Sequence, residues 1–200
     1  MIHPNFRARF FGLVCAAAVC AGAATFNACG EFTGVPASLP TLADSGTVYA
    51  LNGAPAGAPS ALHVFTGSLT APDAGFLFDV AFDIDSAGNV VVYPQRAVAS
   101  GLAVTHTVGL QKDSVDSFDA LTRAPANGYR VDTAMTVKPN QLILVQSADP
   151  TACTVSITGT TIYAKIQIES LFVAKHQLKV RFVTDPNCGF RSFASGVPKD

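Results

Sequence analysis

The clearest pattern along the chain is strict alternation. Between Phe76 and Asp85, Phe76, Phe78, Val80, Phe82 and Ile84 fall on one side, while Leu77, Asp79, Ala81, Asp83 and Asp85 fall on the other. A two-residue period marks a half-buried β-strand. Ser86-Ala87-Gly88-Asn89 follows, then Val90-Val91-Val92-Tyr93, so the segment predicts a hairpin with outward-facing aspartates. The alternation recurs over Thr161–Glu169, with Ile162, Ala164, Ile166 and Ile168 set against Tyr163, Lys165, Gln167 and Glu169. It recurs again in Leu178, Val180 and Phe182 against Lys179 and Arg181. Tyr129–Val137 and Leu142–Gln146 flank the turn Lys138-Pro139-Asn140-Gln141 and predict another hairpin-like unit. Weaker strands are predicted at Thr47–Leu51, Ala61–Phe65, Val98–Leu110 and Thr154–Ile157.

One apolar and one polar face per strand is the antiparallel pattern. About eight strands at short spacing predict an all-β fold, an antiparallel sandwich or barrel. Only one segment predicts helix: Val115, Phe118 and Leu121 recur at helical spacing, with Asp113 or Ser114 as N-cap. Residues 47–200 read as a single β-rich domain, without internal repeat or composition break.

The N-terminus follows a different logic. Arg7 and Arg9 precede an apolar run from Phe10 to Cys20, and small residues Ala21-Gly22-Ala23-Ala24 follow. A basic start, a short apolar stretch and a small-residue exit describe a signal peptide over residues 1–28. The run is alanine-rich and barely approaches the ~20 residues that a bilayer span needs. Two processing sites are available. Ala21-Gly22-Ala23 suits ordinary cleavage, which would release a soluble periplasmic or secreted protein. Phe26-Asn27-Ala28-Cys29-Gly30 resembles a bacterial lipoprotein box, with Phe26 where that box usually has Leu or Val and Asn27 where Ala or Ser is common.

Cysteine parity favours the second site. Cys15 and Cys20 leave with the signal, so the mature chain keeps Cys29, Cys153 and Cys188. An odd thiol is a liability in an oxidising compartment. Lipidation of Cys29 removes it and leaves a pair. Residues 29–46, poor in regular pattern, then read as a tether from the membrane.

The remaining cysteines invite a register argument. If the strands on either side of Leu171 form a hairpin, Ile162 lies opposite Val180, and Cys153 falls opposite Gly189. The inward parity is odd at Val155 and Ile157 but even at Ile162, which predicts a β-bulge at Thr158-Gly159-Thr160. With that bulge Ile157 faces Thr184 and Cys153 faces Cys188, so a disulfide is predicted between them.

Composition sharpens this picture without naming a chemistry. The 200 residues are 49% hydrophobic and 14% charged, against about a quarter charged in an average domain. A formal charge of −1 for the whole chain becomes −3 when counted from Cys29. Neither value gives the basic footprint of a nucleic-acid binder. The charge is unevenly spread: residues 29–119 carry net −7 and residues 120–200 net +4. Segregated halves would make the domain a dipole; the expectation is that strands from both halves interleave, so that the charges complement each other.

His63, His106 and His176 stand apart from other ligand types, and no metal site or cofactor is predicted. No nucleophile elbow, zinc helix or phosphate loop occurs, so no catalytic residue is assigned and no enzyme is expected. Asp83-Ile84-Asp85-Ser86-Ala87-Gly88 imitates the opening of a calcium loop, but Pro94 stands where the bidentate Glu belongs. Asp113, Asp116 and Asp119 read as a solvated helix face. The stretch Leu51–Pro59, rich in Gly and Pro, is a loop too long for a tight turn and serves either binding or connection.

The terminal Cys29-Gly30-Glu31, the segment Phe82–Val90 and the tail Asp185-Pro186-Asn187-Cys188-Gly189-Phe190-Arg191-Ser192 together resemble uncharacterised exported bacterial lipoproteins. The resemblance implies export and a membrane anchor, and implies nothing catalytic. The expected protein is a membrane-tethered envelope module that binds an envelope partner or serves structure. The alternative is a carrier of a small apolar ligand inside a barrel, and less readily an enzyme with a dispersed site.

Overall fold

The computed structural model describes residues 36–72, 75, 77–98, 107–113, 117–154, 156 and 158–199. The chain is all-β. Strands β1 (Leu42–Tyr49), β2 (Ala61–His63), β3 (Ser68–Thr70), β4 (Val80–Ile84) and β5 (Val90–Pro94) lead to the short helix α1 (Gln95–Val98). After it come β6 (Thr107–Asp113), β7 (Arg130–Val131), β8 (Met135–Val137), β9 (Leu142–Ala148), β10 (Thr161–Phe172) and β11 (Gln177–Asp185). They form two antiparallel sheets, a six-stranded one in the order β1-β11-β10-β9-β6-β7 and a five-stranded one in the order β3-β2-β4-β5-β8. Neither sheet closes on itself, so the fold is a sandwich and not a barrel. The apolar-ligand reading therefore loses the lumen it required.

The alternation in β10 and β11 makes the core. Ile162, Ala164, Ile166, Ile168, Leu178, Val180 and Phe182 are all buried and meet Phe82, Val90 and Val92 of the opposite sheet. The hairpin they form is real, but its register differs from expectation. Ile168 pairs with Val180 and Ile166 with Phe182, and the turn lies at Val173–His176, beyond Leu171. A bulge does occur, between Ile168 and Ser170, and not at 158–160. It switches the inward parity, which lets Leu171 rejoin the core. Thr154 sits in a turn and not a strand, while Val155 and Ile157 lie outside the described residues.

Three other expectations change for identifiable reasons. The single face from Phe76 to Ile84 breaks at Asp79, where the chain bends before β4. Phe78 consequently packs with Ala61 and Ala81, away from Phe82, and Phe76 lies outside the described residues. Tyr129–Val137 splits at Asp132, whose φ of 49° ends β7 and sends the chain from one sheet to the other. Residues 138–141 are thus a crossing between sheets and not a hairpin turn. The expected helix is a turn at Phe118–Ala120 capped by Ser117, with residues 114–116 outside the described set; among the described residues the α-helix stands instead at Gln95–Val98.

β1 begins at Leu42, so the ordered sheet reaches into the segment read as tether. Strands from the two charge halves share both sheets: β1 and β6 from the acidic part lie in the six-stranded sheet, β6 between β9 and β7, and β8 from the basic part completes the five-stranded sheet. The remaining strands divide by half, β2 to β5 in the five-stranded sheet and β7 and β9 to β11 in the six-stranded one, and Arg181–Asp119 and Arg96–Asp132 pair charges across the halves.

Candidate functional site

One end of the sandwich carries a groove of about 410 Å³. The segments that build it are far apart in sequence: residues 36–39, Phe65, the turn after β9, and the loop after β11. Asp149 starts the turn after β9. Its Oδ1 accepts the amides of Thr151 and Ala152, which sets Cys153 against the core. The loop after β11 is shaped by Asp185, whose Oδ1 accepts Asn187 N–H and Nδ2–H while Oδ2 accepts Ser192 N–H. Burial pushes the Asp185 carboxyl above its ordinary range, and those donors from Asn187 and Ser192 pull the other way.

The two loops are joined by Cys153–Cys188, with Cα atoms 5.8 Å apart. The expected disulfide forms, though it bridges two loops and not two paired strands. Thr158 Oγ1 donates to the Cys188 carbonyl beside it. Gly189 follows at φ 86°, and any Cβ there would run into the Thr158 carbonyl. Such bridges persist in oxidising compartments, which sets the domain outside the cytoplasm.

Asn187 also holds the N-terminal strap. Its Oδ1 accepts the amides of Ser38 and Leu39, each at 3.0 Å, and its Nδ2 donates to the Leu39 carbonyl at 2.8 Å. Thr41 extends the attachment through Gly196 and Ala194. The strap thus enters the domain along the groove wall.

A second buried site lies on the outer face of the six-stranded sheet. Lys165 is 3% exposed, and its Nζ donates to the carbonyls of Phe118 (2.5 Å) and Leu121 (2.8 Å). It also stands 4.4 Å above the Phe118 ring. Burial pushes its ammonium below the ordinary lysine value, with Asp119 opposing. With both carbonyls and the ring engaging the amine, Lys165 clamps the 117–124 loop onto the sheet. Between the sheets, Asp79 accepts the Val64 amide at 2.6 Å and the Ser147 hydroxyl, joining the bend before β4 to β9. Both carboxylates that read as outward, Asp79 and Asp83, are buried; Asp83 holds Asn52 at the start of the long loop. Only Asp85 stays in the turn, where its Oδ1 accepts the amides of Ala87 and Asn89.

The remaining sequence candidates do not converge. Cys29 and His106 lie outside the described residues. His63 pairs with Thr66, and His176 caps the β10–β11 turn. Among the described residues no three His, Cys, Asp or Glu side chains gather as a metal site, and no helix is long and apolar enough to cross a membrane. Asp119 pairs with Arg181 at 3.4 Å. No family model, curated protein or solved structure matches this chain.

Proposed function

We propose that the protein is an exported cell-envelope β-domain, anchored to the membrane by lipid on Cys29, with a binding or structural role and no catalysis of its own. The observation that carries this reading is the Cys153–Cys188 disulfide. It accounts for two of the three cysteines that follow the signal and leaves Cys29 as the remaining one, at the lipoprotein-box position. The strap that continues from this cysteine is fastened to the domain by Asn187 and Thr41, which suits a chain pulled from its N-terminus. The open sheets with a filled core favour an interaction module over a carrier with an internal lumen.

The test is envelope fractionation of cells producing the full chain or its Cys29→Ser variant. The wild type is expected in the membrane fraction, released by detergent and not by salt. The variant is expected to lose lipid incorporation. Wild-type protein found in the periplasmic or culture fraction overturns the anchor.

A further inference from the structure

The groove bounded by the strap and the disulfide has the composition of an apolar binding site. Its volume, about 410 Å³, falls in the roughly 300–1,000 Å³ range of small-molecule pockets. Leu39, Phe65, Ala152, Pro186, Phe190 and the disulfide supply carbon and sulfur surface, and no charged side chain lines it. Asn187, the most polar group in the wall, spends its amide on the strap and Asp185. A ligand here would meet mainly apolar walls, with Ser38, Ser156 and Thr158 among them, and no charge.

The position of the groove points to its occupant. Pro36 lines it and lies seven residues after Cys29. A chain extends at most ~3.6 Å per residue, so the groove stays within about 25 Å of that cysteine. Leu39 and Val197, 45% and 46% exposed, stand at this same end, where Thr41 N–H donates to the Gly196 carbonyl. The β10–β11 turn is at the other end of the nine-residue β11, about 27 Å away at the rise of a strand. Lipid on Cys29 would therefore tether the domain by its groove end, within reach of the bilayer. Exposed apolar side chains favour the interface, and since Phe172 and Val173 at the turn are as exposed, it is the tether that selects the groove end.

We propose that the groove receives an acyl chain of a bilayer phospholipid, docking this end of the domain on the membrane that its N-terminus anchors it to. The proposal rests on the reading of Cys29 as the anchor. The full chain, purified from membranes, is reconstituted into vesicles of phosphatidylethanolamine and phosphatidylglycerol. The vesicles contain a phosphatidylglycerol with a photoactivatable diazirine on one acyl chain. After irradiation, phospholipid adducts are expected on the peptides carrying Leu39, Phe65 and Phe190. Phe190→Asp places a carboxylate in the apolar wall and is expected to lower these adducts about tenfold. Leu39→Asp, at an exposed position, gives the same test without risk to the core.

Adducts confined to the Phe172–Val173 turn, or equal in wild type and both variants, overturn the proposal. So does an absence of groove adducts. A cross-link from the protein's own labelled anchor chain into the groove overturns the choice of occupant. The mass of the Cys29 peptide in the same digest separates the two readings. Groove adducts with unmodified Cys29 keep the groove and reject the anchor, while lipidated Cys29 without groove adducts rejects the groove alone.

Discussion

Reducing Cys153–Cys188 is the perturbation whose magnitude follows most directly from the structure. The bridge closes a ring with a sequence separation of 35, which contains the whole β10–β11 hairpin. In the chain-entropy account, a ring of that size restricts the unfolded chain by about 4 kcal/mol at 25 °C. Chemical reduction is cleaner than substitution, because both thiols keep their places in the core and at its edge. With a urea slope of roughly 2 kcal/mol/M, the unfolding midpoint should fall by about 2 M. The thermal midpoint of a domain this size should fall by roughly 8–16 °C. The assay is urea and thermal unfolding with and without reductant, with free thiols counted by mass after alkylation. Oxidised and reduced forms agreeing within about 1 kcal/mol would refute the argument that ring closure stabilises this fold. Two alkylatable thiols in the untreated protein would refute the bridge itself.

Asp79→Ala strips the acceptor from the buried Val64 amide and Ser147 hydroxyl, and should cost about 3–5 kcal/mol in urea unfolding. Ser147→Ala should cost less, and the double variant should cost less than the sum of the two, since the residues share one interaction. Asn187→Ala removes three strap hydrogen bonds; hydrogen exchange should accelerate at Ser38 and Leu39 while β10 and β11 stay protected. Buried Lys165 and half-buried Tyr129 set the alkaline behaviour with opposite signs. Lys165 has a lowered folded-state pKa, so its burial penalty is relieved as pH rises towards 10.5 and its contribution to stability grows. Tyr129 has a raised one, chiefly from burial, so its contribution is present below pH 10 and is lost above it. Stability curves of Lys165→Met and Tyr129→Phe should lose the rise and the fall respectively, and wild-type slopes retained in either variant would contradict the assignment.

What the sequence revealed depends on how local the cause was. Ile162 to Ile168 and Leu178 to Phe182 alternate because one face meets the opposite sheet, and period two alone reports that. The hairpin at Asp85–Asn89 was equally plain, since turn residues interrupt two apolar runs. The β10–β11 register was not, because exposed Phe172 and Val173 prolong the apolar pattern and the bulge at Glu169 shifts parity within the strand. Lys165 and Asp79 occupy polar positions of an alternating strand and read as solvated. Their burial follows from a loop laid over the outer face and from Ser147 across the sandwich. The groove was hidden for the same reason. Asn187 meets Ser38 across 149 residues, a distance at which no sequence period operates. Cysteine parity points to the disulfide, although the strand pairing that would set Cys153 opposite Cys188 does not occur.

The account turns on Cys29. Mass spectrometry of the mature N-terminus, on protein extracted from the cell envelope, tests it directly. The account predicts a chain that begins at Cys29 and carries lipid on that residue. An unmodified chain that begins at Ala24 would contradict it.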